Sequence, residues 1–418
     1  MLAVIVIGQI AATGRAEPGA AAPKAPAADI AKNVWPRFRG PTGDGQSPVK
    51  GLPLSWSKNT NVLWKADLPK AHNPWSSPIV FGDKIFVATA TADPKGHKLL
   101  CFNLADGKMA WETSIPPGPK ELKDKRGGYN CSTPCTDGER VYVAFGSCTL
   151  AAVDFQGKLV WQKPLDETNY TTCLATSPIL YKDLVIQVCD TEGPSAILAF
   201  DRKTGAIKYK EPRSKGTSWG TPIEVTLNEK AILILKANKK VEGVDPENGK
   251  TIWSANVKHE AMASPVYGAG VVYSDTGWGG IGVAVAVDGD SKGDISKNVK
   301  WKLPGVRRAF GSPVFVGNTM YRFDAADEGT LRCVDLKTGN LAQTLALPGL
   351  SEWANPIATA DGYVFFATGG KSYVVKHGPN PKIVSTNDLD DANHASAAVV
   401  EGRIIIRGAS KLWCIGRP

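Results

Sequence analysis

The stretch Pro78-Ile-Val-Phe-Gly-Asp-Lys-Ile-Phe-Val-Ala88 decides how the chain is read. A proline opens a short apolar run, Gly-Asp turns it, and a second run rich in strand formers follows, the pattern of a β-hairpin. The same pattern returns at Pro313-Val-Phe-Val-Gly-Asn-Thr-Met-Tyr321. A strand-opening proline, usually after Ser or Thr, recurs at Pro78, Pro134, Pro178, Pro222, Pro265, Pro313 and Pro356, with Ala397 in the equivalent place of an eighth unit. The spacings are 56, 44, 44, 43, 48, 43 and 41 residues. A period of forty-odd residues indicates one repeat architecture, where 418 residues would otherwise suggest two or three domains.

Outward from the hairpin, each unit adds a third strand ending near Asn103, Asp154, Asp201, Asp245, Asp288 or Asp335. A Gly turn and a fourth strand follow, with an aromatic residue four positions past the Gly: Gly107 to Trp111, Gly157 to Trp161, Gly205 to Tyr209, Gly249 to Trp253. Four short antiparallel strands cannot bury both faces alone, so such units must stack as blades around an axis. No window carries sustained helical spacing of apolar residues, and very little helix is expected. The last unit, 395–415, holds only three strands, and Asn61-Val-Leu-Trp64 supplies the fourth in this reading, closing the ring and removing an open sheet edge. The expected fold is all-β, an eight-bladed β-propeller of four-stranded antiparallel blades over residues 35–418.

The ends and the composition narrow the function classes. Residues 1–16 begin apolar (Leu2, Val4, Ile5, Val6, Ile7, Ile10) and finish on small residues, which reads as a secretory signal and is too short to span a membrane. Residues 17–34 are Ala/Pro-rich and read as a tether. Export to the periplasm or cell envelope is the expected location. Lys and Arg exceed Asp and Glu, giving +9, but the excess is scattered with no basic tract, so nucleic acid is not an expected partner. Five histidines without a paired-His motif leave little for a His-based metal centre.

Of the eight cysteines, Cys101, Cys333 and Cys414 fall in one strand slot that elsewhere holds Ala152, Ala199, Gly243 and Ala286, and are expected to be small buried residues. Cys131, Cys135, Cys148, Cys173 and Cys189 crowd into the second and third units. They allow one or two disulfides with open connectivity and leave at least one thiol over. Cys131-x3-Cys135 lacks the second pair a zinc site needs.

The repeat with its Asp, Gly turn and Trp resembles the tryptophan-docking repeat of pyrroloquinoline-quinone (PQQ)-like eight-bladed propellers. These include quinoprotein alcohol dehydrogenases and an outer-membrane assembly lipoprotein. Trp35-Pro-Arg-Phe-Arg-Gly-Pro41 with Gly43-Asp-Gly45, Tyr129-Asn-Cys-Ser-Thr-Pro134 running into Asp137-Gly-Glu-Arg-Val-Tyr-Val143, and Leu412-Trp-Cys-Ile-Gly416 are similar to one exported subgroup. The dehydrogenases of this family hold their quinone with a vicinal Cys-Cys disulfide, a stacking Trp, and calcium bound by Glu and Asn beside a catalytic Asp. This chain has no adjacent cysteines, and no motif here matches the calcium ligands or the catalytic Asp. No cofactor is therefore expected, with PQQ and calcium entering only under an oxidoreductase alternative.

Three further motifs fail on context. Gly277-x-Gly279-x2-Gly282 matches a dinucleotide fingerprint, but Val283-Ala-Val-Ala-Val-Asp288 reads as a strand where a helix must follow. Gly216-Thr-Ser-Trp-Gly220 matches a nucleophile elbow around Ser218, yet Thr221-Pro-Ile-Glu-Val225 opens a strand. Asp288-x-Asp290-x-Lys292-Gly293-Asp294 resembles a calcium loop, but Lys292 and Val299 occupy positions that need oxygen ligands, so it reads as a solvated turn.

The functional lead lies three positions before each strand-opening residue, because equivalent propeller loops converge on one end of the channel. That ring reads Trp75, Cys131, Ala175, Trp219, Met262, Phe310, Trp353 and His394, with Asn130, Glu260, Arg307, Arg308, Glu352 and Asn393 nearby. An apolar, aromatic floor with a mixed-charge rim is the composition of a small-ligand or peptide site. The competing reading is packing of these aromatics between blades. The expected binding residues are Trp75, Asn130, Trp219, Glu260, Met262, Arg308, Phe310, Trp353 and His394, with no catalytic or metal-ligating residue. The segment 116–128, with Lys120, Lys123, Lys125 and Arg126, is expected to overhang the same end as a solvated loop. The chain thus reads as an exported, non-catalytic binding or scaffold module for a protein or small molecule. A quinoprotein-type oxidoreductase is the alternative, and a hydrolase with an unrecognised site the third reading.

Overall fold

The structure is a computed structural model and describes residues 34–71, 75–90, 96–119, 129–165, 174–257, 262–275, 277–308, 310–326 and 328–418. The signal, the tether through residue 33, Glu260, Cys173 and the four basic residues of 120–128 lie outside them, while Val34 already belongs to a strand.

Eight antiparallel sheets follow one another along the chain. Their innermost strands are Ile79–Phe81, Cys135–Thr136, Ile179–Tyr181, Ile223–Leu227, Val266–Gly268, Val314–Val316, Ile357–Thr359 and Ala398–Val400, each beginning one residue after the repeated Pro or Ala397. A proline there forfeits an N–H that no ladder partner requires, since the first residue of an edge strand tolerates it. The eighth blade is completed by Val62–Asp67, which pairs antiparallel with Lys411–Gly416 and brings Trp64 opposite Cys414. Ring closure by an N-terminal strand is therefore a feature of this fold. Among the described residues the single helical segment is a 3-10 turn at Ser296–Asn298, and no helix is long and apolar enough to cross a membrane.

The blades are joined in two ways. On the outside, the aromatic residue of the fourth strand in five blades docks on the Gly turn of the next blade. Trp64 lies over Gly107, Trp111 over Gly157, Trp161 over Gly205, Tyr209 over Gly249 and Trp301 over Gly339. Each also donates its ring N–H or O–H to a carbonyl beside that turn, as Trp111 does to Phe155 O at 2.9 Å and Trp161 to Arg202 O at 3.0 Å. Trp253 departs from the series: it is fully buried, packed on Gly243 of its own blade.

On the inside, the residues just before the strand-opening positions form a closed circle of hydrogen bonds. The backbone N–H of Ser77 donates to Thr133 Oγ1, Thr133 to Ser177, Ser177 to Thr221, Thr221 to Ser264, Ser264 to Ser312 and Ser312 to Asn355 Oδ1, all at 2.8–3.0 Å. Asn355 Nδ2 donates to Ser396 Oγ at 2.8 Å, and the Ser396 N–H returns to Ser77 Oγ at 3.0 Å. Each hydroxyl accepts a buried N–H from the preceding blade, which explains why Ser or Thr precedes the proline.

Two features were not read from the sequence. The segment after Val34 runs inside the ring. Val34–Trp35 adds to the innermost strand of the first blade, and Gln46–Ser47 adds in parallel to that of the seventh. Between them Pro36 O accepts from Thr136 N, and the buried Arg39 donates to Pro313 O at 2.5 Å. Second, the insertion after Asp288 is more than a solvated turn: Gly293–Asp294 pairs with Trp253 and Ser254 and gives the fourth blade a fifth strand. The strands expected after the Gly-rich and nucleophile-elbow motifs are present as Gly279–Ala286 and Ile223–Leu227.

Candidate functional site at the channel mouth

All eight positions of the sequence-derived ring, Trp75, Cys131, Ala175, Trp219, Met262, Phe310, Trp353 and His394, line one cavity of about 380 Å³ at the axis. The hydrogen-bonded circle lies beside them, with Ser77, Ser177, Thr221, Ser264, Ser312, Asn355 and Ser396 also in the lining. Each of these side chains but Asn355 carries a hydroxyl that accepts an N–H, which leaves its own proton to offer to a ligand.

The second strands of the blades hold these loops in place. Arg322, fully buried, is paired with Asp275 (Nη2 to Oδ1 at 2.9 Å) and donates Nη1 to Gly311 O, next to Phe310. Arg407 donates Nη1 to Ser76 O at 2.8 Å and to Ala88 O at 2.6 Å, tethering the loop of Trp75. Burial without a carboxylate partner lowers the Arg407 guanidinium to about 9. Gln187 donates to Thr176 O at 3.1 Å, beside Ala175. Long polar side chains thus satisfy loop carbonyls that strand geometry leaves over.

The aromatics are a contiguous array. Trp75 and Trp353 have ring centroids 5.2 Å apart, Trp353 stacks on Phe310 at 4.5 Å, and Phe310 meets Trp278 edge-on at 4.8 Å. His394 sits edge-on to Trp75 at 5.2 Å, and its Nδ1 is 2.9 Å from Ser351 Oγ. Phe310 is 5% exposed and serves as packing, whereas Trp75, Trp219 and Trp353 are half-buried with surface left in the cavity. The two readings of the ring, packing and cavity wall, divide by residue.

The remaining expected residues fall elsewhere. Asn130 is fully buried, donates Nδ2 to Ala88 O at 2.7 Å and accepts the Ser76 N–H on its backbone O at 3.0 Å, so it braces the Trp75 loop and is not part of the lining. Arg308 lies on the rim, paired with Glu352 Oε2 at 2.5 and 2.9 Å. Glu352, Asn393 and His394 line a second, more polar cavity of about 550 Å³ that shares Trp75 and Trp353 with the first. Phe38, Trp278 and Glu192 also line the axial cavity, and the repeat alignment missed them. Phe38 comes from the threaded N-terminal segment and Trp278 from the Gly-rich hairpin, neither of which obeys the repeat.

Burial lowers the His394 imidazole below its ordinary value, with Glu352 opposing in part, so it is neutral at pH 7. Cys101, Cys333 and Cys414 are fully buried and their thiols are pushed up to about 12, fitting their expected packing role. No disulfide joins two of the seven described cysteines, and among the described residues no group of three or more His, Cys, Asp or Glu could hold a metal ion. Ser218 is buried, and among the described residues its Oγ has no hydrogen-bond partner.

A ring of inner loops around a plugged axis, with docked Trp and Gly turns outside, defines a PQQ-repeat propeller. The family model described as "Outer membrane protein assembly factor BamB" matches residues 120–345, more than half of the chain, and the protein belongs to that PQQ-repeat family. Solved structures show the same fold at low identity. A europium-containing methanol dehydrogenase is 11% identical over 89% of each chain with a TM-score of 0.67. The quinohemoprotein alcohol dehydrogenase of Comamonas testosteroni is 13% identical over 94% of this chain and 82% of its own, TM-score 0.65. BamB of Moraxella catarrhalis is 14% identical over 84% and 95%, TM-score 0.56. No curated protein sequence matches.

Proposed function

We propose that the protein is an exported binding or scaffold module of the periplasm or cell envelope that takes a ligand or partner at the channel mouth. What supports this is the convergence of eight loop positions on one cavity in which half-buried tryptophans present surface. Family membership alongside an outer-membrane assembly factor agrees with the location and with a role that needs no chemistry.

The second reading is a quinoprotein-type oxidoreductase. The overlap with the two dehydrogenases, higher than with BamB, favours it at the level of the fold. The described residues do not fit its cofactors: no cysteines are adjacent, no cluster offers a calcium donor set, and no Lys or Arg lines the axial cavity to pair a carboxylated quinone.

Alanine at Trp75, Trp219 or Trp353 should weaken capture of an envelope partner or ligand by about 2 kcal/mol each, as aromatic hot spots do. Stability should fall by less. A loss of about 3 to 5 kcal/mol in unfolding with capture unchanged would mean that these rings are only core. Added PQQ and calcium should neither raise the melting temperature nor support dye reduction, since a ligand that binds only the folded state must stabilise it. A saturating rise would promote the oxidoreductase.

A further inference from the structure

The walls of the axial cavity carry a chemical bias beyond being apolar. Trp75, Trp219, Trp278, Phe310 and Trp353 all reach it, and Met262 adds a polarizable sulfur. A ring that turns a face to the cavity attracts positive charge there, because the face is the negative end of its quadrupole. Among the described lining residues Glu192 is the one carboxylate and there is no Lys or Arg. Arg308, on the rim, is outside the lining and is paired with Glu352. His394 stays neutral because burial lowers its pKa.

The kind of cation follows from hydration. A metal ion or bare ammonium is compact and strongly hydrated, and would need several converging oxygen acceptors. Among the described residues no group of three or more His, Cys, Asp or Glu converges to supply them, and each hydroxyl of the inner circle already accepts one N–H. A methylated ammonium spreads its charge over methyl groups, sheds water cheaply, and matches ring faces and a thioether. A cavity of about 380 Å³ accommodates such a head with room to spare. The net charge of +9 does not forbid it, because exposed charges beyond roughly 8 Å are screened at physiological ionic strength.

We propose that the axial cavity binds an organic cation of the quaternary ammonium class, as a free choline-like solute or as a phosphocholine headgroup. This rests on the reading of the channel mouth as a binding site and adds the sign and chemistry of the ligand.

The test is a titration of the full chain with choline and with tetramethylammonium, followed by tryptophan fluorescence. 3,3-Dimethylbutanol, which has the shape of choline without the charge, is the control. Saturable binding of the cations at least about tenfold tighter than the alcohol is expected. Trp353→Ala should abolish it, and Glu192→Gln should weaken it several-fold while leaving the alcohol unaffected. If Trp353→Ala does not fold, Trp278→Ala replaces it, since Trp278 is 65% exposed and its removal leaves no core cavity. Phosphatidylcholine and phosphatidylglycerol vesicles form the second arm: binding to the former with choline silent assigns the headgroup as the source, and the converse assigns the solute. Equal binding of alcohol and cation would overturn the charge inference and leave a binding site standing. Silence toward every cation and vesicle would overturn it as well, and the partner-capture experiment on the same variants then decides whether the site itself survives.

Discussion

His97 is fully buried, with its ring stacked on Phe145 at 4.6 Å and, among the described residues, no hydrogen-bond partner for its Nε2. Desolvation lowers its pKa from 6.5 to about 4, so the folded protein holds the neutral form. The unfolded chain binds the proton more readily between these values, so the contribution of His97 to stability is complete above pH 6.5 and is lost as pH falls toward 4. The loss amounts to about 3 kcal/mol by linkage. Denaturant unfolding at pH 7 and pH 4.5 should show this component in the native protein, and His97→Phe, which keeps the stack and removes the titration, should lack it. An identical pH dependence in both proteins would rule the assignment out. The ring residues of the channel mouth were legible at this scale because equivalent loops of a propeller converge. Asn130 lies outside the lining because a polar residue next to the ring can equally turn inward to satisfy a carbonyl, and Glu192 gave no signal because it lies off the repeat alignment.

At the scale of the blade, the outer Trp and the Gly turn are one device shared between neighbours. Gly205 has φ +69°, and a Cβ there would stand 2.8 Å from the Trp161 ring. Trp161→Ala should cost about 3 to 5 kcal/mol by emptying an aromatic site. Gly205→Ala should cost about 1 to 2 kcal/mol for the left-handed backbone, plus the clash. The double variant should be less destabilised than the sum, because removing the ring removes the clash, whereas additive losses would show that the two positions are uncoupled. The sequence pattern displayed the Gly and the Trp together within each blade. The place of the Trp after the Gly turn pointed to packing between blades, but it did not display which neighbour's turn each ring covers, since that depends on how blades are set side by side.

For the whole molecule, closure and threading make the N-terminal region structural. Truncation through residue 28 should leave the melting temperature unchanged. Truncation through residue 60 removes the segment whose Trp35 and Arg39 are buried inside the ring, and truncation through residue 70 also removes the strand Val62–Asp67 and opens the edge of the eighth blade. The melting temperatures should fall in that order, the last by an amount equivalent to several kcal/mol. Equal values for the first and last truncations would sink closure as a source of stability.

By itself the sequence determined what repeats: the hairpin period, the strand-opening proline after a hydroxyl residue, the Gly turn and docking aromatic, and hence eight blades and the ring of loop residues at the axis. These are local patterns, and repetition carries them into space. Tertiary structure alone decided what does not repeat. The path of residues 34–47 through the ring, Phe38 and Trp278 in the cavity wall, the fifth strand lent to the fourth blade and the closed circle of inter-blade hydrogen bonds all join residues far apart in the chain. Their partners are chosen by packing around a common axis, which no local period encodes.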